Sequence, residues 1–124
     1  MARKPSPALT DGETRLMNVL WKKGCATVAD VVAALPTKHP VAYNTVQTML
    51  RILEDKGYVA HEQVGRAFVY RPLVEQRAAR RRALGHLTKA LFDNSPSLVI
   101  LHVLQDEHLE PAEVERLKRL IENA

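Results

Sequence analysis

The polar residues best suited to specific recognition lie close together in the chain, between positions 44 and 51. Four of them recur at spacings of three and four residues, which places them on one face of a helix: Asn44, Gln47, Thr48 and Arg51. Side chains of these types can form paired hydrogen bonds with base edges in the major groove of DNA, and threonine can also contact a thymine methyl. An ordinary solvated face is the other interpretation, because every amphipathic helix has a polar side.

The helix that would carry this face is predicted over residues 42–56. Its opposite side has the i, i+3, i+4, i+7 spacing of a stripe that packs into a core: Val46, Met49, Leu50 and Leu53. Thr45 lies on the flank between the two sides. The spacing therefore fixes which side of the helix remains available to a ligand.

A β-hairpin is predicted directly after this helix. The hydrophobic period changes from 3.6 to 2 in the segments 58–64 and 67–71, and Gly65-Arg66 between them is a two-residue turn signal. Arg66 at the tip could reach phosphates or a narrow minor groove. An arginine-tipped hairpin beside the polar helix favours DNA recognition over a merely solvated face.

Two shorter helices are predicted before the polar one. Thr10 and Glu13 have the spacing of a capping box that opens the first helix, which Gly24 ends. Thr27 opens the second helix and Pro36 stops it, and a turn follows over residues 37–41. Helix, helix, turn, helix and hairpin is the order of a winged helix-turn-helix, in which the third helix enters the major groove and the wing touches flanking DNA.

Residues 74–124 are predicted to be helical, with helices over about 74–92 and 97–104 and a last one that starts at Glu110-Pro111. Their apolar stripes exceed what about 50 residues can bury alone, so we expect them to complete a core by dimerisation. The alternative is that these helices fold back on the winged helix of the same chain. The predicted dimerisation residues are Leu84, Leu87, Leu91, Leu98, Leu101, Leu104, Leu117, Leu120 and Ile121.

The predicted organisation is therefore mostly α-helical: a flexible arm over residues 1–8, a winged-helix DNA-binding domain over 9–73 and a helical dimerisation domain over 74–124. Residues 1–82 carry 14 Lys and Arg against seven Asp and Glu, whereas residues 83–124 carry four against seven. A basic front part suggests a polyanionic partner, although a solvated surface with an accidental imbalance is the simpler alternative. A second basic feature, Arg77, Arg80, Arg81 and Arg82, fits either DNA phosphates or a solvated face.

A cytoplasmic protein is expected. The longest apolar run, residues 98–101, is far shorter than the ~20 residues that cross a bilayer, and the first eight residues lack the apolar segment of a signal peptide. The single cysteine, Cys25, excludes an intramolecular disulfide and a Cys-cluster metal site, and we expect it to be a small buried residue.

Several motifs resemble those of the penicillinase and methicillin-resistance repressors (BlaI/MecI-like), with the copper-responsive CopY repressors as relatives. The matching segments are LW at 20–21, TVADVV at 27–32, AYNTVQTML at 42–50, LEDKG at 53–57 and GRAFVYRP at 65–72. The resemblance covers about residues 9–122 and is most specific over 43–72. It implies a homodimeric repressor whose winged helix binds a palindromic operator. The candidate DNA-binding residues are Tyr43, Asn44, Thr45, Gln47, Thr48, Arg51 and Arg66.

The resemblance also implies a route to derepression. Family members in resistance operons are inactivated when a membrane-bound sensor metalloprotease triggers a cut in the C-terminal domain, which would fall near His102-Val103 in this chain. In the family, the peptide bond that is cut joins an asparagine to an aromatic residue, and this chain has neither residue at that place. The Cys-rich C-terminal motif of the copper-responsive relatives is also missing, so copper sensing is not expected.

Two other classes of function match parts of the sequence. Winged helices also act as protein-interaction adaptors without DNA, but the polar helix face and the basic front part argue against that use. A small metal-dependent hydrolase would need ligands at regular spacing, and the five histidines show neither an HExxH motif nor a paired pattern. We therefore predict no catalytic residue, no metal and no cofactor.

Overall fold

The computed structural model describes residues 8–36, 38 and 40–124. The predicted arm, apart from Ala8, and positions 37 and 39 of the predicted turn lie outside the described residues. The elements are α1 (Asp11–Lys23), β1 (Ala26–Thr27), α2 (Val28–Ala34), α3 (Tyr43–Asp55), β2 (Val59–Val64), β3 (Ala67–Pro72), α4 (Gln76–Leu91), α5 (Pro96–Asp106) and α6 (Pro111–Glu122). None of these helices is long and apolar enough to cross a membrane.

Local sequence signals fix the ends of the first two helices. The Thr10 hydroxyl accepts a hydrogen bond from the Glu13 N–H at 3.1 Å, and Glu13 Oε1 accepts one from the Thr10 N–H at 2.8 Å, which confirms the predicted capping box. Gly24 ends α1 at a φ of +85°, a conformation that favours glycine. Thr27 and Asp30 form a second capping box at the start of α2.

The three strands form one antiparallel sheet in the order β1-β3-β2. The predicted hairpin is confirmed as β2 and β3, but the sequence did not predict β1, which is only two residues long and too short to show an alternating pattern. The expectation that Cys25 is buried is wrong, because this residue is exposed. It lies in the connection between the end of α1 and β1, and such connections run over the surface.

The chain forms two compact units, and the first extends to Ala83. Its core consists of buried side chains from the three N-terminal helices, the sheet and the start of α4, and the indole N–H of Trp21 donates to the Val74 carbonyl at 2.8 Å. The largest fully buried side chains are Leu16, Met17, Leu20, Val31, Val46, Leu50, Leu53, Val59 and Tyr70. Each of the three N-terminal helices thus packs its apolar stripe against the others.

The second compact unit runs from Leu84 to Ala124. After α4 the chain reverses at Asp93 and Asn94, both at positive φ, where the Asn94 N–H donates to the Thr88 carbonyl. The Ser95 hydroxyl then caps α5, which extends two residues further than predicted at its end. Neither α5 nor α6 contains a buried residue. Of the nine predicted dimerisation side chains, Leu98 is half-buried and the others are exposed.

Candidate nucleic-acid interface

Helix α3 is sharply divided into two faces. Val46, Leu50 and Leu53 are fully buried, as predicted from their spacing. Asn44, Thr48 and Arg51 lie on the opposite side and are exposed, and Gln47 is half-buried at its edge. We refer to Asn44, Gln47, Thr48 and Arg51 as the polar face of α3. Tyr43 and Thr45, in the first turn of the helix, are also exposed.

One side chain on the polar face, that of Thr48, is ordered by the helix itself. The Thr48 hydroxyl donates to the Asn44 carbonyl four residues earlier, at 3.0 Å. This hydrogen bond fixes the threonine rotamer, so the methyl group and the oxygen lone pairs are what remain available to a ligand. Part of the cost of ordering the polar face is therefore met before any ligand binds.

The end of α3 is attached to the start of α1 by a buried ion pair. Lys56 Nζ lies 2.7 Å from Glu13 Oε1, with both side chains about 5% exposed, and it also donates to the Ala8 carbonyl at 3.0 Å. Burial alone would raise the pKa of Glu13, but hydrogen bonds from Lys56 and Thr10 and the lysine charge hold it below the usual range. This contact joins the C-terminal end of α3 to the N-terminal end of α1, beside the apolar packing between the two helices.

The hairpin, or wing, turns at two residues. Val64 pairs with Ala67, and Gly65 between them has a φ of +64° whereas Arg66 does not have a positive φ, which is the pattern of a type II′ turn. Arg66 is exposed at the tip, as predicted. The structure thus places one arginine at the outer end of an antiparallel ribbon whose base joins α3.

A further group of side chains between α3 and the wing was not predicted. The Glu54 carboxylate contacts the His61 ring on β2, and that ring lies 4.9 Å from the Phe68 ring and 5.2 Å from the Tyr70 ring, between centroids. One pairing within this group, that of His61 with Tyr70, could have been predicted from the sequence. A two-residue turn at Gly65-Arg66 fixes the register, which puts His61 opposite Tyr70.

Tyr70 shows that the sheet and the polar face of α3 are close. This residue is 2% exposed, and burial raises the pKa of its hydroxyl. The Glu54 charge raises that pKa further, and the Arg51 charge opposes the rise. Both charges belong to α3, so the underside of the wing and the polar helix share one electrostatic environment.

Other charged residues show less organisation. Arg77, Arg80 and Arg81 are exposed on α4, and the Arg82 guanidinium lies 5.8 Å from the centre of the Tyr58 ring. Among the described residues, no three His, Cys, Asp or Glu side chains form a group that could hold a metal ion. Within that part of the chain, the polar face of α3 and the wing remain the best-organised polar surface.

Comparison with known proteins gives consistent matches. The family model described as Penicillinase repressor matches residues 9–123. The penicillinase repressor of Bacillus licheniformis is 26% identical over 119 residues, which cover 96% of this chain and 93% of that protein. The methicillin resistance regulatory protein MecI of Staphylococcus aureus is 20% identical over 113 residues, covering 91% and 92%.

A solved structure matches more than half of the chain. The solution structure of the DNA-binding domain of the repressor BlaI is 34% identical, has a TM-score of 0.52 and covers 60% of this chain and 90% of that one. Three helices and a two-stranded wing, followed by three further helices, define a winged helix-turn-helix protein with a C-terminal helical region. The chain belongs to the penicillinase repressor family.

Proposed function

We propose that this protein is a transcriptional repressor that binds operator DNA through the polar face of α3 and the wing. The observation that carries the proposal is the placement of an exposed, partly ordered polar face beside a hairpin with arginine at its tip. Helix α3 would enter the major groove, and Arg66 would contact the flanking backbone or minor groove. The basic excess of residues 1–82 favours a polyanionic partner.

Substitution of the polar face should reduce specific binding without unfolding the protein. Thr48→Ala and Arg51→Ala are each expected to weaken specific binding by about 1–3 kcal/mol, because each removes contacts with base edges. Affinity would be measured on a duplex that the unmodified chain selects from a randomised library. Arg15→Ala is the matched control, since it removes one exposed cation from α1. Unchanged affinity in both variants would show that this face does not read the operator.

The wing should contribute affinity rather than sequence preference. Arg66→Ala is expected to weaken binding to selected and random duplexes alike, and to lower the slope of log affinity against log salt by about 1. Arg116→Ala on α6, which belongs to the second compact unit, provides an equal loss of charge. A loss confined to one base position would instead make Arg66 a base reader. A winged-helix adaptor that binds only protein would show no salt-dependent DNA binding in any variant.

The same proposal extends to assembly and regulation. The exposed apolar side chains of α4, α5 and α6 support a homodimer that places two α3 helices on the halves of a palindrome. Relief of repression by a cut near His102-Val103, downstream of a membrane sensor metalloprotease, fits the family. Both residues lie inside α5, so a protease that binds an extended chain would need that helix to open.

The family membership makes the chain a regulator, and we assign it no catalysis of its own. Its place of action would be the cytoplasm, where operator DNA lies. No resident cofactor or metal is required by any step of the proposed mechanism, since base reading and phosphate contacts use only side chains of the protein.

A further inference from the structure

An acidic residue lies next to the polar face of α3. Glu54 follows Arg51 by three residues and Gln47 by seven, so it belongs to the same side of the helix. A carboxylate at this place repels the phosphates of a duplex bound by the helix. The position is electrostatically unfavourable for DNA binding, and the contacts of Glu54 show what it contributes instead.

Glu54 makes its contacts with the wing. Both carboxylate oxygens lie 2.8 Å from His61 Nδ1, and Oε2 also accepts a hydrogen bond from the His61 backbone N–H at 3.2 Å. Both side chains are about one-third exposed. The carboxylate therefore joins the last turns of α3 to the first half of β2 through three contacts.

The His61 ring also contacts β3, the other strand of the wing. The His61 and Phe68 rings meet edge to face, and the His61 ring also lies against Tyr70, the residue opposite it on β3. Tyr70 is fully buried in the core. One carboxylate thus connects α3, both strands of the wing and the core, on the side of the hairpin that adjoins the polar face.

We propose that Glu54 and His61 are positioning residues for DNA binding, which hold the wing at the angle to α3 that lets Arg66 and the polar face contact one duplex together. This inference rests on the proposed function. Neither side chain needs to touch DNA. The contribution of the pair is to order the wing before binding, so that less conformational freedom is lost in the complex.

The direction in which Glu54→Ala changes the DNA affinity distinguishes a positioning role from simple electrostatic repulsion. Glu54→Ala removes a negative charge near the DNA, which by itself strengthens binding; loss of positioning weakens it. Glu54→Ala is expected to bind a mixed-sequence 40-base-pair duplex and the selected operator about three- to tenfold more weakly than the unmodified chain. Glu62→Ala is the matched control, because Glu62 is an exposed acid on β2, the strand that carries His61, and the described residues provide no partner for its side chain. It should bind equally well or slightly more tightly.

Two further variants keep the test independent of folding. His61→Phe retains an aromatic ring against Phe68 and Tyr70 and the backbone N–H bond to Glu54, but it removes the contacts of the ring nitrogen with the carboxylate. Because the repelling charge of Glu54 stays in place, His61→Phe should also bind more weakly than the unmodified chain. Glu54→Gln keeps an oxygen that accepts hydrogen bonds and should recover part of the affinity. Thermal unfolding of each variant would set a temperature at which all are folded, and the affinities would be measured there.

A double-mutant cycle with Arg66 gives the decisive result. If Glu54 acts by placing the wing, its removal costs little once the arginine at the wing tip is gone, so the losses from Glu54→Ala and Arg66→Ala are not additive. Fully additive losses would overturn the positioning role, as would a Glu54→Ala protein that binds like Glu62→Ala. Failure of the unmodified chain to bind any duplex in a salt-dependent way would instead overturn the proposed function, and the positioning role with it.

Discussion

A chain that ends at Ala83 is expected to fold and to bind its operator about a hundredfold or more weakly than the full chain, because one recognition unit loses the avidity of two linked units. One helix contacts only a few base pairs, whereas two helices fixed about one helical turn apart add their contacts. The apolar surface that could fix that spacing lies beyond Ala83, on the exposed sides of α4, α5 and α6.

The end point of this truncation follows from the core. Val74 and Ala79 are buried with the winged helix, and the Val74 carbonyl accepts the Trp21 hydrogen bond. A chain that ended at Leu73 would lose these contacts. Weaker operator binding by that chain could then result from unfolding as well as from loss of dimerisation. The mass in solution and the operator affinity of the full chain and the truncation would be measured side by side. A monomeric full chain, or a truncation that binds equally well, would contradict dimerisation through the C-terminal helices.

A point variant tests the same idea in the full chain. Leu120→Glu puts a charge on the apolar side of α6, where the leucine is 58% exposed. It should convert the dimer to a monomer in solution and lower the operator affinity as much as the truncation does. Arg119→Glu is the control, since it changes the charge more but on the opposite side of the helix. The two variants should differ clearly if the apolar side is the interface.

Loss of the Glu13 carboxylate should strongly destabilise the first compact unit. Glu13→Ala is expected to lower the free energy of unfolding by about 3–5 kcal/mol, because it leaves the charge of Lys56 buried without a partner. The same change removes half of the α1 capping box. Urea unfolding would measure the loss. Asp30→Ala is the control, since Asp30 occupies the equivalent place in the α2 capping box but is exposed, and its loss should be much smaller.

The pH dependence of unfolding gives this prediction a second readout. The folded-state pKa of Glu13 lies below its ordinary value of 4.5, so its charged form stabilises the fold at pH values above 4.5. That stabilisation is lost as the pH falls below 4.5 and through the folded-state pKa. Glu13→Gln should remove this part of the acid sensitivity. A loss of stability in Glu13→Ala no greater than in Asp30→Ala would show that the ion pair contributes little.

Local features of this protein could be predicted from its sequence, and distant pairings could not. The Thr10 and Glu13 capping box and the register of the hairpin each depend on residues within a few positions of one another. The division of α3 into a buried face and an exposed face follows from the spacing of its apolar residues. Each of these features is decided by backbone geometry that the nearby sequence controls.

The missed contacts depend on how elements pack. Glu13 was predicted to cap a helix, but nothing near it indicates that a lysine 43 residues later shares its carboxylate. Glu54 and His61 are only seven residues apart, yet they meet because the chain reverses from α3 into β2. Likewise, β1 exists because β3 offers it a free edge, and two residues cannot signal that on their own. The candidate DNA-binding residues remain a prediction that the proposed variants will test.

The hydrogen bond within the polar face has a consequence for base identity. The only proton of the Thr48 hydroxyl is donated to the Asn44 carbonyl. In that rotamer the side chain can accept a hydrogen bond from the exocyclic amino group of adenine or cytosine, or pack its methyl against that of thymine. Guanine offers only acceptors in the major groove and would gain nothing from this hydroxyl. If Thr48 faces a base edge as proposed, this single bond inside the helix disfavours guanine at that place, even though the bond is made before any DNA is present.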